Sequence, residues 1–116
     1  MLRFARLAEK PRKLYRMTGL TQEQFTLLTG HLKPIWKEAE QERLSRSDRK
    51  RAIGAGRKYL LSRMEDKLLA LLMFYRFYLT DELLGWIVGL DQSNVCRLRG
   101  RLAPLLEKAA DPSLRI

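Results

Sequence analysis

An all-α fold is predicted by three observations: apolar residues recur at helical spacing through most of the chain, capping residues precede those stretches, and glycines close them. The 116 residues allow one small domain with a real core. The expected architecture is a small multi-helix domain that contains a helix-turn-helix and carries a basic flexible arm. Its parts in order are an N-terminal helical region (1–42), a basic arm or linker (43–61), the helix-turn-helix region (62–110) and a tail (111–116).

In residues 1–16 a short basic helix or two is expected. Phe4 and Leu7 share a face, Pro11 opens a second turn with Leu14 and Tyr15, and Gly19 closes it. Thr21 with Gln24 makes a capping box, followed by Phe25, Leu28 and Leu32 on one helical stripe. Pro34 lacks an amide proton, so a kink or restart is expected between Gly30 and Lys33, before a segment carrying Ile35, Trp36 and Ala39. Ser62 with Glu65 reads as a second capping box. It would open a helix from Arg63 to Tyr78 with Met64, Leu68, Leu71, Leu72 and Tyr75 inward.

The most constrained stretch is DELLGWIVGLDQSNVCRLRG, Asp81 to Gly100. Leu84 and Val88 lie on one helix face, Val95, Leu98 and Leu102 continue on the next, and Leu90 sits between them. Gly85 stands where a side chain would strike the crossing helix, and Gly89 can supply the positive φ that ends the first helix. Thr80 and Asp91 are the expected N-caps, which bound the pair at about 81–88 and 92–102. Pro104 reads as a new helical start, with Leu105, Leu106 and Ala109 packing back. No internal repeat is expected.

With the apolar stripe inward, the second helix presents Gln92, Ser93, Cys96, Arg97, Gly100 and Arg101, with Asn94 and Arg99 at the flanks. Glutamine can bond adenine at two points and arginine can do so with guanine, while serine and free backbone amides suit phosphate. Charge agrees with that chemistry. The net charge is +10, concentrated in residues 1–18, 43–58 and 92–101. Within the arm, Arg49, Lys50, Arg51, Arg57 and Lys58 either form a solvated linker or lie along phosphates and in the minor groove.

The order of features, TGLTQEQF (Thr18 to Phe25), IGAGRKYLL (Ile53 to Leu61), EDKLLALLMFYRFYLT (Glu65 to Thr80), the motif above and LAPLLEKA (Leu102 to Ala109), resembles a known arrangement. It is similar to the N-terminal region of bacterial insertion-sequence transposases of the DDE superfamily, in the group related to insertion sequence five. The resemblance spans almost the whole chain. It implies binding to the element's terminal inverted repeats, with Gln92, Ser93, Asn94 and Arg97 in the recognition-helix positions. It also implies a following RNase H-like domain with three metal-binding carboxylates. The chain stops before such a domain, so it is expected to be inactive alone, with a catalytic domain supplied by a second reading frame as a possible partner. Cys96 departs from the family pattern, which has a small hydroxyl residue there.

Other functions find little support. The acidic pairs Glu65–Asp66 and Asp81–Glu82 suit the positive ends of helix dipoles better than metal binding. His31 has no carboxylate or cysteine at ligand spacing, and Cys96 is the single cysteine, so neither a metal nor another cofactor is expected. Trp36, Trp86, Phe74 and Tyr78, at helical spacing beside leucines, are expected in the core. The charge-free stretch from Leu83 to Leu90 is too short to span a bilayer, and no secretory signal precedes it, so a cytoplasmic, nucleoid-associated protein is expected. The expected partner is double-stranded DNA. Two alternatives stay open: a small repressor bound to the same DNA, and a protein-interaction module that forms a homodimer through helices 22–42 and 103–110.

Overall fold

A computed structural model describes residues 1–45 and 61–109. Among these, six helices follow one another: α1 (Phe4–Leu7), α2 (Pro11–Thr18), α3 (Gln22–Leu44), α4 (Met64–Phe77), α5 (Asp81–Val88) and α6 (Gln92–Ala109). The fold is all-α, as the apolar spacing predicts. Leu14, Phe25, Leu32, Leu68, Leu84 and Leu102 meet in one core fed by every helix from α2 to α6.

Local signals explain most boundaries. The Thr21 hydroxyl accepts the Gln24 amide and the Gln24 side chain accepts the Thr21 amide, so the capping box of α3 is complete. Gly19 ends α2 at φ 78° and Gly89 ends α5 at φ 81°, both in the left-handed region. Thr80 caps α5 by accepting the Leu83 amide at 3.1 Å.

Two expectations about proline fail for one reason. Neither Pro34 nor Pro104 breaks its helix; α3 and α6 run straight through them. A helical proline crowds the carbonyl four residues earlier and leaves it without an amide partner. Those positions are Gly30 and Gly100, both exposed and with open space around them, so the freed carbonyls can turn to water.

The expected capping box at Ser62 and Glu65 does not form either. Arg63 is the N-cap of α4 and no side chain caps it. Glu65 is drawn instead into ion pairs with Lys33 of α3 at 2.9 Å and Arg63 at 3.3 Å. Burial raises the pKa of this carboxyl, but the Lys33 hydrogen bond, the backbone amide and both cations outweigh it, leaving it below the ordinary glutamate range. Its pKa is depressed in the folded state, so its stabilisation is present above the unfolded value and is lost as the pH falls through the folded one. Urea unfolding from pH 7 to 3 is therefore expected to show wild type more stable than Glu65→Gln at neutral pH, with the gap closing below about pH 4. A gap independent of pH would contradict this.

Because α4 is buried on almost every side, from Asp66 to Leu71 without interruption, it is the central helix. Its two buried charges are used. The Asp66 carboxylate accepts the Phe4 amide at 2.7 Å, which caps α1 from another helix, and Phe4 then stacks on Phe25 at 4.7 Å. Lys67 donates to the Ser62 carbonyl and lies over the Trp36 ring, and burial pulls its pKa down. Tyr75, expected inward, is exposed, because the last turn of α4 emerges from the core.

Candidate nucleic-acid interface

The site is built on the turn between α5 and α6. The Gly85 carbonyl accepts two amides, from Gly89 at 2.7 Å and Leu90 at 2.9 Å, which folds the chain sharply back. A Cβ on Gly85 would overlap the Leu90 carbonyl, so the obstacle that requires glycine is the turn itself before it is the crossing helix. Leu84 and Val88 then bury against Val95, Leu98 and Leu102. The Asp91 carbonyl accepts the Val95 amide at 3.0 Å as α6 begins.

The first three residues of the chain brace this turn. The Leu2 amide donates to the Ile87 carbonyl at 3.0 Å, and Arg3 Nη1 donates to the Val88 carbonyl at 2.6 Å. Met1 covers Gly89 closely enough that a Cβ there would strike its sulfur. These bonds fill carbonyls left open at the end of α5 and add a cation where the helix dipole is negative. Sequence reasoning missed Arg3, because a contact across 85 positions leaves no local signal.

On α6 the burial alternates as the helical stripe requires. Val95, Leu98 and Leu102 are buried, while Gln92, Ser93, Cys96, Arg97 and Gly100 are exposed and Asn94 is half-buried. Gln92, Ser93 and Arg97 make no side-chain hydrogen bond or ion pair with any other described residue. Between Gln92 and Leu106 there are three arginines and no acid.

Arg99 and Arg101 differ from Arg97. Arg99 makes a two-point ion pair with Asp81, at 3.1 and 2.7 Å, and lies over the Phe74 ring at 4.6 Å. It thereby ties α6 to the start of α5 and to α4, and the hydrogen bond it donates to Asp81 raises its pKa further. Arg101 is half-buried; burial and the neighbouring Arg43 pull its pKa down, against Glu40. The other expected contacts, Arg49, Lys50, Arg51, Arg57 and Lys58, lie outside the described residues.

The aromatic expectations divide. Trp36 and Phe74 pack against the core, but Trp86 is 83% exposed and Tyr78, the left-handed residue that ends α4, is 88% exposed. With Leu84 and Val88 inward, Trp86 falls on the opposite side of α5, a consequence legible in the helical spacing itself. Leu83, Phe77 and Tyr75 are exposed in the same stretch of chain. No helix among the described residues is long and apolar enough to cross a membrane.

Compared with models of known protein families, with curated proteins and with solved structures, the chain matches none.

Proposed function

We propose that this chain binds duplex DNA sequence-specifically, with the start of α6 in the major groove and Gln92, Ser93, Asn94 and Arg97 facing base edges and nearby phosphates. One observation carries this reading. A glycine-dependent turn presents a helix whose outer face carries Gln92, Ser93 and Arg97, unpartnered among the described residues, and no acid before Glu107. Arg99 acts mainly as a clamp between helices, and Arg101 and the arm cations add attraction for phosphate. The resemblance drawn from the sequence makes the terminal inverted repeats of an insertion sequence the proposed target, with strand cutting and joining left to a separate domain. A repressor would use the same face.

Repeated selection from a duplex pool with a randomised centre tests this reading. A shared motif is expected to emerge and to be bound about 10³-fold or more tighter than mixed sequence at physiological salt. A pool that stays random, or is never retained, overturns it.

A second reading, a protein-interaction module, is favoured by the exposed Tyr78, Leu83 and Trp86. The dimer surface expected from sequence falls on α3 and on the later part of α6, up to Ala109, and these two helices already pack on each other. Trp86→Ser separates the readings: it is expected to leave duplex affinity intact and to abolish any concentration-dependent rise in mass.

A further inference from the structure

The first half of the chain repeats in the second half with a constant offset of 70 residues and no gap. Leu2, Phe4 and Arg6 recur as Leu72, Phe74 and Arg76; Leu14, Gly19 and Leu20 as Leu84, Gly89 and Leu90. Gln22, Leu28, Gly30, Leu32, Pro34 and Ala39 recur as Gln92, Leu98, Gly100, Leu102, Pro104 and Ala109. The identities are scattered, which hides them from inspection of the sequence alone.

The structure repeats with the residues. Pro11–Thr18 and Asp81–Val88 are both eight-residue helices, ended by glycines at φ 78° and 81° and followed by helices that begin at Gln22 and Gln92. The Gly19 amide donates to the Tyr15 carbonyl at 2.7 Å, as the Gly89 amide does to Gly85. Phe4 stacks on Phe25, and Phe74 lines a small cavity with Val95, the residue in the position of Phe25. The copies also brace each other: Arg3 donates to Val88 at the end of α5, and Arg76 donates to Arg16 near the end of α2. α3 packs directly on α6.

The two segments differ in their turns and outer faces. Tyr15 replaces Gly85, and the Leu20 amide turns to the Thr18 hydroxyl instead of the carbonyl four residues before the glycine. The outer face of α3 is unsuited to base reading. Gln22 is held by the Ala8 carbonyl, Gln24 by its cap, Glu23 is acidic, and Leu27 stands exposed in the place of Arg97. The first helices are reversed in charge. α5 opens with Asp81 and Glu82, whereas Lys10, Arg12, Lys13 and Arg16 on and before α2 are exposed and have no side-chain partner among the described residues. In a helix-turn-helix the first helix crosses the phosphate backbone, which is the position these cations occupy.

We infer that residues 2–39 and 72–109 are two copies of one helix-turn-helix unit, and that the first copy is a second DNA contact that grips backbone phosphates through Lys10, Arg12, Lys13 and Arg16. The inference rests on the DNA-binding reading of α6. It extends the footprint beyond the reading helix and assigns sequence discrimination to one copy and hold to the other.

The test uses the full chain and a labelled 30-base-pair duplex of mixed sequence, with affinity followed against salt. The combined variant Lys10→Gln, Arg12→Gln, Lys13→Gln, Arg16→Gln is expected to melt like wild type and to lose about 2 to 3.5 from the magnitude of the log–log salt slope, at about 0.9 per phosphate contact. Exchanging the four residues between lysine and arginine is expected to keep the wild-type slope, and neutralising Lys37 and Lys108 to leave it unchanged. A wild-type slope in the glutamine variant, or no rescue by the exchanged one, overturns the second contact while α6 binding stands. Wild type that binds no duplex at all overturns both.

Discussion

Gly85→Val is expected to unfold the domain about 15 °C below wild type, close to 3 kcal/mol at the scale set by a chain of this size. The β-branched side chain would meet the Leu90 carbonyl, and relieving that overlap requires moving the turn, whose two hydrogen bonds both end on the Gly85 carbonyl. Gly89→Val is expected to harm the domain too, since its φ of 81° is a poor one for a β-branched residue and Met1 closes the space above it. Thermal unfolding of both variants decides the matter. A Gly85→Val midpoint equal to wild type would show that α5 and α6 do not depend on this close approach.

The second large effect is expected at Arg97. Arg97→Ala should weaken binding to the selected duplex by about 10- to 100-fold, as loss of one two-point base contact does, and relax preference at one base pair. Binding to mixed sequence should change much less, because Arg97 is one cation among 23 basic residues. Arg99→Ala is expected to behave differently. It removes the clamp on Asp81 and the contact with Phe74, so its loss of affinity should come with a lower melting temperature. Equal loss on selected and mixed DNA by Arg97→Ala would reassign that residue to phosphate.

What could be read from the residues followed how local the controlling interaction is. The Thr21 box, the Thr80 cap and the glycine ends of α2 and α5 need only a few neighbouring residues, and all were legible. The continuity of α3 and α6 was not, because the proline rule had to be weighed with a glycine four residues earlier. Glu65 stands at the spacing of a local cap, yet it is recruited by Lys33, more than 30 positions away. The outward face of α6 was legible as a stripe, but the different roles of Arg97 and Arg99 depend on Asp81 and Phe74 beside the second of them. The repeat was missed because its identities mark turn and core positions rather than a contiguous motif.

Cys96 allows the proposed placement of the outer face of α6 against DNA bases to be measured directly. It is the single cysteine, exposed, and adjacent to Arg97 on that face. An iron chelate attached to Cys96 and triggered on the selected duplex is expected to cut both strands within a few base pairs of the motif centre. Cuts spread evenly along the duplex, or none on DNA that is demonstrably bound, would contradict the placement of α6 in the groove.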